Sequence, residues 1–215
     1  LGGPSDTSLD LIAQHVNTAT VSVYGNDGSG IFSGPGVYGT GALMGYPTGG
    51  TLQRHTDNTL VTADFNNDGY RDILANGYSS RGFSVLLGGP GNTFSNPLFF
   101  LASLSDDSQL SLKVMDVNDD GFDDVVFTSQ GTTSTRIAWA QGVGDGTFLG
   151  PFDIASGISD TGCPNVDIRT LEVYDIDGDG RKEIAILCYG ASPDLKIFRK
   201  HTDESWKRGT GTLLA

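Results

Sequence analysis

Residues 116 to 124 read Asp-Val-Asn-Asp-Asp-Gly-Phe-Asp-Asp. Side-chain oxygens fall at positions 1, 3, 5 and 9 of this stretch, on Asp116, Asn118, Asp120 and Asp124, and Gly121 follows position 5. Oxygen-bearing residues that alternate around a glycine-permitted turn can wrap a hard divalent cation, and Ca²⁺ takes about 6–8 oxygen ligands. The backbone carbonyl of Phe122, at position 7, would complete such a shell. Mg²⁺ suits the pattern less, because it keeps several waters and avoids dense protein cages.

The stretch occurs twice more. Asp64, Asn66, Asp68 and Asp72 repeat the oxygen positions around Gly69, with Tyr70 at the carbonyl position. Asp175, Asp177, Asp179 and Glu183 repeat them around Gly180, with Arg181 at the carbonyl position. Asp, Asn and Gly favour turns without any metal, but the return of every oxygen position argues for three Ca²⁺ sites. These are not EF-hands, which need a bidentate Glu at position 12 and helical flanks. Position 12 here is Ala75, Phe127 and Ile186. The flanks are short and apolar, as in Leu60-Val61-Thr62 before the first loop and Val125-Val126-Phe127 after the second. They read as strands, so the unit is strand, cation-binding turn, strand.

The elements that must position these loops repeat as well, and a fixed period defines a repeat architecture. Residues 10 to 35 align with 72 to 97 at an offset of 62, so that Val21-Ser22-Val23 falls on Phe83-Ser84-Val85. Further copies start at Asp124 and Glu183. Each carries a strand before the loop, one after it, a third strand, a Gly-rich turn closed by an aromatic, and a last apolar segment. The closing aromatics are Phe32, Phe94, Phe148 and Trp206. Four short strands in roughly 50–60 residues is the size of a propeller blade. The expected repeats span approximately 1–50, 51–105, 106–160 and 161–215. They form a single domain, or part of one, over residues 1–215.

Composition agrees with an all-β chain. The 215 residues include 31 Gly, and no stretch sustains apolar spacing at helical period. The net charge of -13 counts against nucleic acid and anionic membrane as partners, and suits a protein neutralised by divalent cations. No apolar run approaches the ~20 residues of a membrane span. Leu1 opens no signal peptide, which is expected of a processed chain or a fragment. Cys163 and Cys188 flank the third loop. They would pair in an extracellular protein and stay as two buried thiols otherwise.

The pattern Asp-x-Asn/Asp-x-Asp-Gly-x-x-Asp/Glu before an apolar strand, with Gly-Asp-Gly-Thr-Phe-Leu-Gly-Pro at 144 to 151, resembles the FG-GAP/VCBS repeats. That family includes the integrin-α-like calcium-binding β-propellers and several secreted lectins and enzymes. The resemblance implies an all-β propeller of four-stranded blades whose Asp-rich Ca²⁺ loops join the first two strands of each blade. This chain holds about four such blades, and the first lacks its innermost strand. Of the corresponding first loop only Asp6 and Asp10 keep ligand residues, so that site is expected to be broken. An open innermost position attracts a partner strand, so a homo-oligomer or membership in a longer chain is expected.

Catalytic signatures are sparse. His15, His55 and His201 fall at unrelated places in the repeat, and neither a nucleophile elbow nor a zinc-binding helix motif is present. The expected function is non-catalytic: a calcium-stabilised, secreted, extracellular recognition module, most plausibly binding a glycan in the manner of a lectin. A structural or adhesive subunit that binds cell-surface or extracellular protein is the second reading. The propeller part of a polysaccharide-acting enzyme is the third. Candidate ligand contacts are Tyr46, Arg54, His55 and Trp139; packing between blades is the favoured role of the two aromatics, and Arg54 and His55 in the linker are the better candidates for a surface site.

Overall fold

The structure, a computed structural model, describes residues 8–15, 18–41, 60–76, 82–102, 111–130, 135–157, 161, 163, 168–188, 194–201 and 205–209. Strands β1 (Leu11–His15), β2 (Thr20–Tyr24) and β3 (Gly36–Gly39) form sheet I. Strands β4 (Leu60–Ala63), β5 (Asp72–Asn76) and β6 (Gly82–Leu86) open sheet II. A two-stranded ribbon, β7 (Gly88–Gly89) with β8 (Thr93–Phe94), precedes its outer strand β9 (Leu98–Leu101). Sheet III is β10 (Ser111–Met115), β11 (Asp124–Gln130), β12 (Thr135–Gly142) and β13 (Phe148–Ser156). Sheet IV is β14 (Ile168–Tyr174), β15 (Glu183–Cys188), β16 (Asp194–Lys200) and β17 (Trp206–Arg208). All pairings are antiparallel, and within each sheet a strand lies beside its neighbour in sequence.

Successive side chains of a strand point to opposite faces of its sheet, and that alternation stacks the sheets in chain order. In β5, Leu74 joins Phe83, Val85, Val125 and Phe127 in a cluster between sheets II and III. Its neighbours Ile73 and Ala75 point the other way and meet Val21 and Val23 of sheet I. In β11, Val125 and Phe127 face sheet II, while Val126 faces sheet IV and packs with Ile168, Leu171 and Ile184. Strands covered on both faces read as continuous apolar runs rather than alternating ones. This explains Ile73-Leu74-Ala75 and Val125-Val126-Phe127, all fully buried. Phe83 anchors the middle cluster, with ring centroids 5.0 Å from Phe100, 5.3 Å from Phe148 and 6.4 Å from Phe127.

The first strands lie together, β10 running between β4 and β14, and Lys113 of β10 meets Glu172 of β14 at 2.9 Å. Sheet I has three strands among the described residues. Trp206 stands where the repeat places it: it opens β17 by pairing with Lys200, as Phe148 opens β13 by pairing with Gly142. The hairpin before it is closed by the His201 N–H on the Ser205 carbonyl, as the sheet III hairpin is closed by the Val143 N–H on the Thr147 carbonyl. Gly211-Thr212-Leu213-Leu214-Ala215, apolar enough in sequence to read as a strand at the outer edge of the last repeat, lies outside the described residues. Cys163 and Cys188, whose pairing the sequence left open, form a disulfide buried in the cluster between sheets III and IV.

Candidate metal centres

The three acidic stretches are the β4–β5, β10–β11 and β14–β15 connections, and they fold alike. In each, the position-1 carboxylate accepts the N–H of the position-6 glycine at 2.9 Å: Asp64 from Gly69, Asp116 from Gly121, Asp175 from Gly180. In each, the position-5 carboxylate accepts the N–H of position 7: Asp68 from Tyr70 at 2.8 Å, Asp120 from Phe122 at 2.9 Å, Asp179 from Arg181 at 2.8 Å. The chain turns through left-handed backbone at position 6, where Gly121 has φ 86°. A side chain there would be strained, and glycine takes that conformation freely.

The position-9 acid does different work. Asp72 and Asp124 are fully buried. Asp124 accepts the Val117 N–H at 2.8 Å with Oδ2 and the Gly142 N–H at 2.8 Å with Oδ1. Asp72 does the same with Phe65 and Gly88, both at 2.7 Å. One carboxylate thus ties the start of the loop to the end of the third strand. Gly142 is needed for that approach, because a Cβ on it would lie 2.3 Å from the Asp123 carbonyl oxygen. Burial pushes the Asp72 and Asp124 carboxyls up to about 6, against the pull of their two N–H donors. Asp10 keeps the structural half of this role, accepting the Asn26 N–H at 2.7 Å. Asp6, the other ligand residue kept in the first repeat, lies outside the described residues.

In the third loop the carboxylate oxygens of Asp175, Asp177 and Glu183 converge to within 4.8 Å of one another. The longer Glu183 lets Oε2 accept the Ile176 N–H at 2.8 Å while Oε1 lies 3.7 Å from the Arg199 guanidinium. Arg199 also approaches Asp177, at 3.4 Å. Its counterpart in sheet III is Gln141, which donates to Asp120 at 3.1 Å. The donor set is oxygen throughout, carboxylate, amide and main chain, which fits a hard cation and excludes the soft-ligand metals. Asn66 and Asn118 each donate their amide to the position-5 acid, at 3.0 and 2.8 Å, which holds the third and fifth positions side by side.

Beside the second and third loops lies a cleft of about 180 Å³, lined by Met115, Asp116, Asp119, Lys182, Lys200 and Trp206, among others. No motif announced it. Lys200 Nζ spans it to donate to the Val117 carbonyl at 2.9 Å. Of the sequence candidates for ligand contact, Trp139 packs on Phe152 at 5.3 Å and against the cluster between sheets III and IV. Tyr46, Arg54 and His55 lie outside the described residues.

Residues 116–186, from the second loop through the third, match the FG-GAP-like repeat family. No curated protein matches the sequence. Several solved structures match the fold. One, described as the structural basis of specific recognition of non-reducing terminal N-acetylglucosamine by an Agrocybe aegerita lectin, superposes with a TM-score of 0.60 at 22% identity. The alignment covers 94% of this chain and 52% of that one, so this chain spans about half the length of that lectin.

Proposed function

We propose, from the match of residues 116–186 to the FG-GAP-like repeat family, that the protein is a calcium-stabilised β-propeller module that recognises glycans. The observation that carries the calcium part is the wiring that three loops at equivalent places in three sheets share, position 1 to the position-6 glycine and position 5 to position 7. Asp64, Asn66, Asp68 and Asp72 hold one ion, with the Tyr70 carbonyl. Asp116, Asn118, Asp120 and Asp124 hold the second, with the Phe122 carbonyl. Asp175, Asp177, Asp179 and Glu183 hold the third, with the Arg181 carbonyl. Each ion locks the turn between the first two strands of a blade, and blades of this kind from the rest of a larger assembly complete the ring.

Glycan recognition draws support from the cleft beside Trp206, where an aromatic face stands among charged donors and acceptors. It also draws support from the fold shared with a lectin. The reading is non-catalytic. The hydrogen-bonded Ser22–His15 pair, 2.7 Å apart, offers no accessible nucleophile, because Ser22 is 3% exposed in β2. A secreted location fits the buried disulfide, since such bonds persist in oxidising compartments. A glycan array probed in calcium and in chelator tests the whole: binding lost on chelation is expected, and an array blank in both conditions would remove the glycan reading.

Arg199 makes the third site unequal to the others. A guanidinium 3.4 Å from Asp177 already partly neutralises the oxygens that an ion would take. Arg199→Gln, which installs the sheet III residue, is expected to raise calcium affinity at the third loop roughly fivefold. That is about the worth of one partly exposed ion pair. Calorimetric titration reads it, and an affinity unchanged or lowered would refute competition by Arg199.

A further inference from the structure

The junctions between sheets II and III and between sheets III and IV differ in the space between an acidic loop and the third-strand turn of the next sheet. Between sheets II and III this space is plugged. Gly146 donates its N–H to the Phe65 carbonyl at 3.1 Å, and the Phe148 ring packs edge-on against Phe65 at 5.5 Å. Between sheets I and II, where residues 1–7 of the first loop lie outside the described residues, Tyr38 donates its hydroxyl to the Asn92 carbonyl at 2.7 Å and sets its ring 5.0 Å from Phe94, the contact that Phe100 makes with Phe148. Between sheets III and IV the described contact to the loop comes from a lysine. Lys200 Nζ takes the place of the Gly146 N–H, donating to Val117, which stands where Phe65 stands in its own loop. Trp206 takes the position of Phe148, and both Lys200 and Trp206 line the cleft of about 180 Å³.

The walls of that cleft are cationic in a chain of net charge -13. Eight of the 13 Lys and Arg residues fall between 169 and 208. Arg181, Lys182 and Lys200 line the cleft, faced by Asp116 and Asp119. With calcium on the second loop, Asp116 is engaged as a ligand, which leaves the three cations facing Asp119, with Asp123 beside the cleft in electrostatic reach of Lys182. A neutral sugar needs hydroxyl-bonding groups and an aromatic face, not a concentration of ammonium and guanidinium. Those groups bind carboxylates and sulfate esters by charge-assisted hydrogen bonds. Sites for drug-sized ligands run to about 300–1,000 Å³, so this smaller cleft suits a single ring.

We propose that the cleft between the second and third acidic loops is a subsite for an acidic sugar residue, stacked on Trp206 with its anionic group toward Lys182 and Lys200. This rests on the glycan reading above and names the ligand class of its site.

The test is calorimetric titration of the intact chain in calcium buffer with three probes. They are a glucuronic-acid-terminated oligosaccharide, its carboxyl-reduced neutral counterpart, and a sulfated oligosaccharide. At least one anionic probe is expected to bind tenfold or more tightly than the neutral one, and which of them does so distinguishes carboxylate from sulfate. Lys182→Glu, an exposed change, is expected to weaken that binding at least tenfold with the melting temperature unchanged. Trp206→Ala tests the stacking face, and Lys182→Glu remains decisive if that variant folds poorly. Equal affinity for neutral and anionic probes would overturn the acidic subsite while leaving glycan recognition in place. Anionic binding untouched by Lys182→Glu would overturn the location. No binding of any probe, with a blank array, would take the glycan reading with it.

Discussion

Asp124→Ala is expected to lower folding stability by roughly 3–5 kcal/mol and to abolish calcium binding at the second loop. The reason is local. The Asp124 carboxylate accepts two N–H groups from fully buried surroundings, Val117 at one end of the loop and Gly142 at the end of β12. Hydrogen bonds to a charged group are worth about 1.5–3 kcal/mol each, and truncation leaves both donors without a partner. Asp124→Asn keeps one acceptor oxygen but removes the charge, so it should keep the fold at a smaller loss and still lose the metal. Asp119→Asn is the control, since Asp119 is exposed, lies outside the ligand set and shares the loop. Its effect on stability should stay within about 0.5 kcal/mol. Denaturant melts in calcium check the series, and an Asp124→Ala variant as stable as the control would contradict the role given to the position-9 acid.

The second large effect is the reversal of pH dependence on removing calcium. An ion bound only by the folded state stabilises by about 2.7 kcal/mol at a hundredfold excess over its dissociation constant. Three sites then give roughly 8 kcal/mol, and at about 2–4 °C per kcal/mol for a chain of this size the melting temperature falls by roughly 15–30 °C in chelator. Asp72 and Asp124 set the sign with pH. In the metal-free chain, burial raises both carboxyls to about 6, above the ordinary 3.8. A raised acid favours its neutral form in the folded state. The stability it contributes is therefore present below about pH 4 and is lost as pH rises through 6. Calcium inverts this, because its ligands must be ionised and protonation near 6 expels the metal. Melts at pH 5 and pH 7.5 should cross: more stable at pH 5 in chelator, more stable at pH 7.5 in calcium. Parallel curves in the two buffers would contradict the assignment of these two acids as buried ligands.

The loops and the strands that flank them were legible in the sequence because both obey short periods. Alternating oxygens announce the turn, and runs such as Val125-Val126-Phe127 announce a strand covered on both faces. The cleft was not legible, because it arises where unlike residues from different sheets meet. Trp206 was recognised as the aromatic of its repeat, but nothing in one repeat says that Lys200 will reach across to Val117. Arg199 is hidden for the same reason. It sits in the register place of Gln141, and only strand pairing brings it to Asp177 and Glu183. The disulfide is similar: a separation of 25 residues does not predict contact, whereas packing in the cluster between sheets III and IV does. Asp10 carries the opposite lesson. A first loop that reads as a lost metal site keeps its position-9 acid because that acid also fastens backbone, at Asn26.

The central claim is that the three acidic loops are calcium sites. Isothermal titration of chelator-stripped protein with CaCl₂, with metal content of the native protein measured alongside, tests it directly. Three ions per chain are predicted, two of one affinity class and one weaker at the Arg199-flanked loop. No heat of binding, no metal in the native protein and a melting temperature unmoved by chelator would contradict it.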